Sequence, residues 1–344
     1  MDYVTLGSTE ITVNKNGFGA LPIQRISDSE AVFLLVKAFN NGITFFDTAR
    51  DYTDSERKIS DALTGVRGIR NEIYIATKTS AKDSAVFREQ LKTSLNTLKT
   101  DHIDIYQFHN PPFCPKPGDE SGLYDAMLEA KTQGKIKHIG LTNHRLEIAR
   151  EAAESGLYEI IQYPISYLST PEELDLVQLC ADRDIGVIAM KALSGGLITD
   201  SAVAYAFLMQ FENVIPIWGI QRESELDEFL SYQDETPELD DRAMSVIERD
   251  LVELSGEFCR GCGYCLPCPE EIFIPIAARM SVLMKRAHES FYFSELAQQA
   301  MSRVENCINC GRCKERCPYS LDAPRLMRES LVEFNSLTQL KQKR

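Results

Sequence analysis

The sequence predicts an α/β protein, a (β/α)₈ TIM barrel followed by a small cysteine-rich helical domain. Three observations carry this. Short apolar runs alternate with longer amphipathic stretches over roughly 250 residues, the length and rhythm of a closed parallel barrel. No GxGxxG follows the first barrel run, which counts against a doubly wound sheet. Eight of the ten cysteines fall between Cys259 and Cys317, beyond the last run.

The first stretch, TLGSTEITVNKN, has two polar–apolar runs about a turn and reads as a hairpin that plugs the barrel floor. Strand-like runs follow at 17–21 (GFGAL), 44–49 (TFFDTA), 72–78 (EIYIATK) and 103–109 (IDIYQFH). Four more lie at 136–143 (IKHIGLTN), 160–166 (IIQYPIS), 186–192 (GVIAMKA) and 214–220 (VIPIWGI). Helical patterns separate them, such as SEAVFLLVKAFNNG, AVFREQLKTSLNTLKT and TPEELDLVQLCADRDIG. The last carries Thr170 as N-cap, Pro171 at the first helical position and Gly186 as its closing glycine. A helix over 240–255 leads to the first cysteine run, and the stretch between the two runs is helical past Pro275, with Met280, Met284 and Met301 as core filling. The domain boundary is accordingly drawn between 1–255 and 256–344.

Composition narrows the function. A chain of 344 residues with 44% hydrophobic and 26% charged residues has the apolar mass for a sizeable core. A net charge of −14 argues against a nucleic-acid partner, and the basic end LKQKR is too short to overturn that. The start lacks the apolar core of a signal peptide, and no run reaches the roughly 18 apolar residues of a membrane span. The chain therefore reads as cytoplasmic, with no membrane partner. In that compartment its cysteines do not pair as disulfides, and the isolated Cys114 and Cys180 read as inert thiols.

Reactive residues of such barrels sit at the C-terminal strand ends. Asp47 ends the second run with Tyr52 in the loop beyond, Lys78 ends the third and His109 the fourth. A tyrosine has an ordinary pKa of about 10 and is a poor acid at neutral pH. A neighbouring ammonium stabilises its phenolate and lowers that value. A carboxylate fixes the lysine, and a histidine orients a carbonyl oxygen. This set suits protonation of an alkoxide as hydride reduces a carbonyl.

FFDTARDYTDSE around Asp47 and Tyr52, ATK at Lys78 and QFHNP at His109 resemble the aldo-keto reductase superfamily, over roughly residues 3–235. The resemblance implies a barrel reductase with Tyr52 as proton donor, Lys78 and Asp47 tuning it, and His109 orienting a small carbonyl or alcohol substrate. It implies NADP, or NAD, bound without a GxGxxG loop. Gly19, Ala20 and Asp47 then lie at the cofactor, as do Thr142, Asn143 and Gln162 near the carboxamide. Met190, Lys191 and Leu193 line the nicotinamide and pyrophosphate. Gly219, Ile220, Arg222, Glu225 and Glu228 grip the adenosine end, with Arg222 placed to meet a 2′-phosphate. Two positions depart from the family: its stacking aromatic falls at Met190, and its adenine-holding Glu-Asn pair reads Glu228–Phe229.

The second cysteine run, CINCGRCKERCP, has the C-x₂-C-x₂-C-x₃-C-P spacing of bacterial ferredoxins. The first, CRGCGYCLPCP, differs by one residue before its last cysteine, which leaves a single cluster at the second run as the alternative to two. Structural Cys₄ zinc, the alternative, uses two separated CxxC pairs. By the ferredoxin pattern, in which the fourth cysteine serves the other cluster, one [4Fe–4S] cluster takes Cys259, Cys262, Cys265 and Cys317. The other takes Cys307, Cys310, Cys313 and Cys268. The resemblance is to a helical, ferredoxin-like dicluster domain appended to the barrel.

Hydride carries two electrons and a cluster accepts one, a gap that flavin commonly bridges; no motif here calls for flavin. Three readings follow. The clusters exchange electrons with a redox protein partner or the active site; the barrel is an ordinary carbonyl reductase braced by structural clusters; or the protein is a non-catalytic redox sensor.

Overall fold

The computed structural model describes residues 2–254, 257–287 and 289–342. Strands β1 (Tyr3–Thr5) and β2 (Thr12–Asn14) form the expected antiparallel hairpin, with Val4 opposite Val13. Eight parallel strands follow: β3 (Gly17–Gly19), β4 (Phe45–Asp47), β5 (Tyr74–Thr79), β6 (Ile103–His109), β7 (Ile136–Thr142), β8 (Ile160–Pro164), β9 (Gly186–Met190) and β10 (Val214–Gly219). They pair in chain order, and β10 pairs with both β9 and β3, so the sheet closes on itself and has no free edge.

The helices are α1 (Asp28–Asn40), α2 (Ser55–Ile59), α3 (Ser84–Leu98), α4 (Leu123–Thr132), α5 (Leu146–Ser155), α6 (Pro171–Asp182), α7 (Ser201–Met209) and α8 (Glu223–Asp234). Their starts are chemically marked. Ser27 and Glu30 cap α1 reciprocally, and Thr170 and Glu173 do the same for α6, with Pro171 at its first position. Gly186 does not close α6 as the sequence suggested. The left-handed turn after that helix falls at Asp184 (φ +57°), and Gly186 opens β9. A Cβ at Gly186 would lie 2.7 Å from Ile160 Cδ1 and 2.8 Å from Leu6 Cβ, so close packing against the hairpin explains that glycine.

The hairpin fills the barrel floor. Val4, Leu6, Ile11 and Val13, none more than 3% exposed, share one core cluster with Phe45, Ile105, Ile160, Ile188 and Ile215 from the barrel interior. Each such burial stabilises by about 1.5–3 kcal/mol. Charge also ties the floor. Glu159, just before β8, lies 2.7 Å from His138 Nδ1 and 2.5 Å from Lys131 Nζ, and accepts the Ile139 N–H at 3.1 Å. Burial would push its carboxyl up, but His138, Lys131 and that N–H outweigh burial and hold it at about 2. A folded value below the unfolded one (about 4.3) gives stability that is present above the unfolded value and is lost as pH falls toward 2. Glu159→Gln is expected to lower Tm by about 2–4 °C at pH 7, equivalent to about 1 kcal/mol after allowance for solvent screening. Thermal melts across pH should show the difference closing as pH falls from about 4.3 toward 2.

The chain divides into two compact units, 1–192 with 202–239, and 193–201 with 240–344. The sequence reading drew its line after residue 255. Helix α9 (Asp241–Glu253) instead groups with the second unit, because its buried Asp250 is held by Arg286 at 2.9 Å. The stretch Leu193–Ser201 groups there too, through Arg242 to Asp200 at 2.9 Å and Arg279 to the Gly195 carbonyl at 2.8 Å. The second unit continues with α10 (Ile274–Ala277), α11 (Met280–Arg286), α12 (Glu289–Tyr292), α13 (Glu295–Ser302), α14 (Arg312–Glu315) and α15 (Ala323–Gln342). Its core joins Ile272, Ile274, Met280, Met301, Val304 and Met327, with cysteines of both runs packed against it. Among the described residues no helix is long and apolar enough to cross a membrane.

Candidate functional site

Strand register builds one rim. Gly219 pairs with Gly19, Gly19 with Asp47, Lys78 with Gln107, His109 with Thr142, and Thr142 with Gln162. Met190 completes it opposite Pro164. The residues predicted from separate runs are thus neighbours on the C-terminal edge of the barrel.

At the centre Lys78 Nζ donates to both Asp47 oxygens at 2.7 and 2.8 Å and to the Thr48 carbonyl at 2.6 Å. Both side chains are nearly inaccessible, Lys78 at 1% and Asp47 at 2%. Burial pushes the Asp47 carboxyl up and the Lys78 ammonium down, and each opposes the shift of the other. The ammonium lies 5.3 Å from the Tyr52 ring centroid. The His109 ring meets Tyr52 edge-on, centroids 5.8 Å apart and planes at 82°. A phenol flanked by an ammonium and an imidazole on a half-open rim is equipped for proton transfer to and from an oxygen.

Sequence reasoning missed four supports. Glu56, 2% exposed, binds Arg50 and accepts from Thr77 at 2.8 Å, and its charge acts on Lys78 to keep it protonated. Asp51 stands 3.6 Å from His109 Nδ1 and takes the Ser80 hydroxyl at 3.0 Å; His109 holds its carboxyl below the usual range. Gln107 donates to Gln162 Oε1 at 2.7 Å, and Gln162 in turn lies 3.5 Å from Asp47. His144, 5% exposed, is pushed well below the ordinary imidazole value by burial, with Lys191, His109 and Arg145 adding to it. Glu56 and Asp51 stand inside FFDTARDYTDSE and His144 directly follows Asn143, so position was the signal available; Arg50 shares that stretch, whereas Thr77, Ser80 and His109 come from farther along the chain.

The residues predicted for a dinucleotide divide. Gly19, Thr142, Gln162, Met190 and Gly219 lie on the shared rim, with Ala20, Asn143, Lys191 and Ile220 directly beside them in sequence. Asn143 donates to the Pro111 carbonyl at 2.9 Å, and Thr142 Oγ1 lies 3.9 Å from Met190 Sδ. Lys191 has φ +56°. Buried Gln107 Oε1 lacks a hydrogen-bond partner, so polar capacity remains beside that rim. Rim and orphaned acceptor fit a nicotinamide carboxamide, which offers donors and an acceptor. Arg222 and Glu225 pair at 2.8 Å at the start of α8, and Glu228 accepts the Tyr232 hydroxyl at 3.2 Å. Leu193 belongs to the second compact unit. Phe229, at the departed adenine position, is buried and stacks on Trp218 at 4.2 Å.

None of the ten cysteines, all among the described residues, forms a disulfide. Cys268, Cys307, Cys310 and Cys313 line one recess, together with Cys265, Ile274, Pro324 and Met327. The four cysteines assigned to one cluster line that recess, joined by Cys265 of the other set. The other four also act on one another. Burial pushes the Cys265 thiol up to about 12, with Cys259 and Cys262 adding, and burial raises Cys259, with Cys262 and Cys317 adding. Among the described residues no three His, Cys, Asp or Glu side chains converge as a single ion requires; five cysteines line a recess instead. Soft thiolates around such a space suit an iron–sulfur body with several metal corners.

Residues 15–202 match the Aldo/keto reductase family, and residues 258–322 match the 4Fe-4S dicluster domain. Over 211 residues the chain is 29% identical to L-galactose dehydrogenase of Arabidopsis thaliana, covering 57% of this chain and 66% of that one. Over 231 residues it is 28% identical to the NADH-specific methylglyoxal reductase of Escherichia coli (strain K12), covering 58% and 69%. The chain thus spans about two thirds of the length of these curated relatives. A solved aldo-keto reductase from Bacillus halodurans in its holo form aligns with TM-score 0.63 at 21% identity, over 73% of this chain and 96% of that one, a likeness of fold.

Proposed function

The chain belongs to the aldo/keto reductase family and is an oxidoreductase with a C-terminal 4Fe-4S dicluster domain, and from that premise we propose that its barrel interconverts a small carbonyl compound and its alcohol. The observation that carries this is the convergence of Asp47, Tyr52, Lys78 and His109 on one rim. Bound NADP(H), or NAD(H), supplies or takes the hydride. Thr142, Asn143, Gln162 and Met190 hold its nicotinamide end, and Arg222 supports the phosphorylated form. Tyr52 gives its hydroxyl proton to the substrate oxygen as negative charge grows there. Lys78 stabilises the phenolate left behind, held charged by Asp47 and by the field of Glu56. His109, backed by Asp51, donates to the same oxygen and orients it. A non-catalytic sensor has no need of this complete set.

The two clusters supply one-electron capacity, and the proposed use is exchange with a redox partner or the active site. A cytoplasmic, reducing setting accords with ten cysteines outside disulfides. The second reading, clusters as braces, draws on the packing of Cys259, Cys265, Cys268, Cys307 and Cys317 against the helical core. An anaerobic assay separates them. Loaded protein is given NADPH with a panel of aldehydes, then a one-electron dye in place of the aldehyde. Exchange predicts dye reduction that Cys310→Ser abolishes while the barrel stays folded and dinucleotide stays bound. No dye reduction by the unaltered protein favours the brace, and no aldehyde turnover overturns the barrel assignment.

A further inference from the structure

Arg279 is a charge without a visible counterpart. It precedes α11 and is 8% exposed. Its Nη2 donates to the Gly195 carbonyl at 2.8 Å, while its Nε has no hydrogen-bond partner. Among the described residues no Asp or Glu forms an ion pair with it; the ionisable group whose field reaches it is the Cys259 sulfur. Leaving a guanidinium buried and uncompensated is costly.

The loop is shaped around this cation. Gly261, between Cys259 and Cys262, has φ +64°, and a Cβ there would sit 2.3 Å from Arg279 Nη1. Gly195, on the other side, has φ +66°, with its Cβ position 3.4 Å from the same nitrogen. Two left-handed glycines thus admit the guanidinium between the first cysteine run and the Leu193–Ser201 stretch of the same unit. The Gly261 N–H also points at Cys259 Sγ, at 3.4 Å. The arginines around the second run, Arg312, Arg316 and Arg328, are exposed and screened by water.

We infer that Arg279 is the built-in counter-ion of the cluster held by Cys259, Cys262, Cys265 and Cys317, and that it raises that cluster's reduction potential. The inference rests on the two-cluster reading above. A cubane held by four thiolates carries net negative charge and gains one more on reduction. A fixed, desolvated cation beside it stabilises the reduced form more than the oxidised one. The two clusters therefore stand in unequal fields.

The test is an EPR-monitored redox titration of the full chain, loaded anaerobically. Iron and sulfide analysis of the unaltered protein tests the two-cluster reading by itself. Given two clusters, Arg279→Gln should shift one of them at least tenfold toward its oxidised form at fixed potential, about 59 mV lower for one electron. The other cluster should stay put. Arg279→Lys, which keeps the charge, should shift far less than the Gln variant. If Gln loses one cluster while Lys keeps both, the need for charge is likewise supported. Unmoved potentials in a fully loaded Gln variant overturn the inference. So do Lys and Gln variants that shift equally, or that both lose the cluster.

Discussion

Tyr52→Phe is expected to lower kcat/KM for aldehyde reduction by about 10²–10⁴-fold, the range for loss of a positioned general acid. The change deletes one hydroxyl and keeps the ring. Phenylalanine preserves the edge-on contact with His109 and the face toward Lys78 Nζ at 5.3 Å. Dinucleotide affinity should therefore stay within about threefold, since no dinucleotide contact assigned above involves the hydroxyl. Steady-state rates paired with a fluorescence titration of NADPH check both halves. A full rate in the variant would take the proton-donor role from Tyr52.

Lys78→Met is expected to be strongly destabilising. It removes all three hydrogen bonds of the ammonium and leaves the Asp47 carboxylate, 2% exposed, with Gln162 at 3.5 Å as its one remaining side-chain partner among the described residues. Breaking a buried pair from one side costs about 3–5 kcal/mol, or a Tm lower by about 6–20 °C for a unit of this size. The sign of its pH dependence follows from Asp47, whose carboxyl burial already raises. Without the ammonium that rise grows, so the variant carries little penalty below the unfolded value of about 3.9. The deficit relative to the parent widens as pH climbs from the parent's own raised Asp47 value to the variant's higher one, then levels off. Melts from acid to neutral pH would show it; a constant deficit would mean that lost packing, not the stranded carboxylate, sets the cost.

Both predictions concern residues that the sequence alone picked out, for a physical reason. Asp47, Lys78 and His109 close three successive apolar runs, and a parallel barrel converts the end of a run into a place on one rim. The strands themselves were legible because buried parallel strands read as unbroken apolar runs, and 103–109 was placed at both ends. What stayed hidden depends on which residues the fold brings together. Glu56 looks like a surface acid until Thr77 and Arg50 enclose it. Phe229, read as the loss of one adenine contact, is also one face of a stack on Trp218 that the sequence pattern does not announce. Helix α9 was read as the end of the barrel because its amphipathic pattern names no partner; the ion pair from Asp250 to Arg286 does. Gly186 resembled a helix stop since glycine serves close approach and left-handed turns alike.

Cysteines of the two runs meet one another. Cys268 of the first lines a recess with Cys307, Cys310 and Cys313, while Cys317 of the second acts on Cys259. Such interleaving has a consequence for biosynthesis. On the ligand sets proposed above, a nascent polypeptide that has emerged only as far as residue 306 holds just part of either donor set, so neither centre can be finished on the ribosome at that stage. Iron delivery on that proposal waits for the emergence of Cys307 to Cys317, and an early stop codon upstream of Cys307 would forfeit both centres at once.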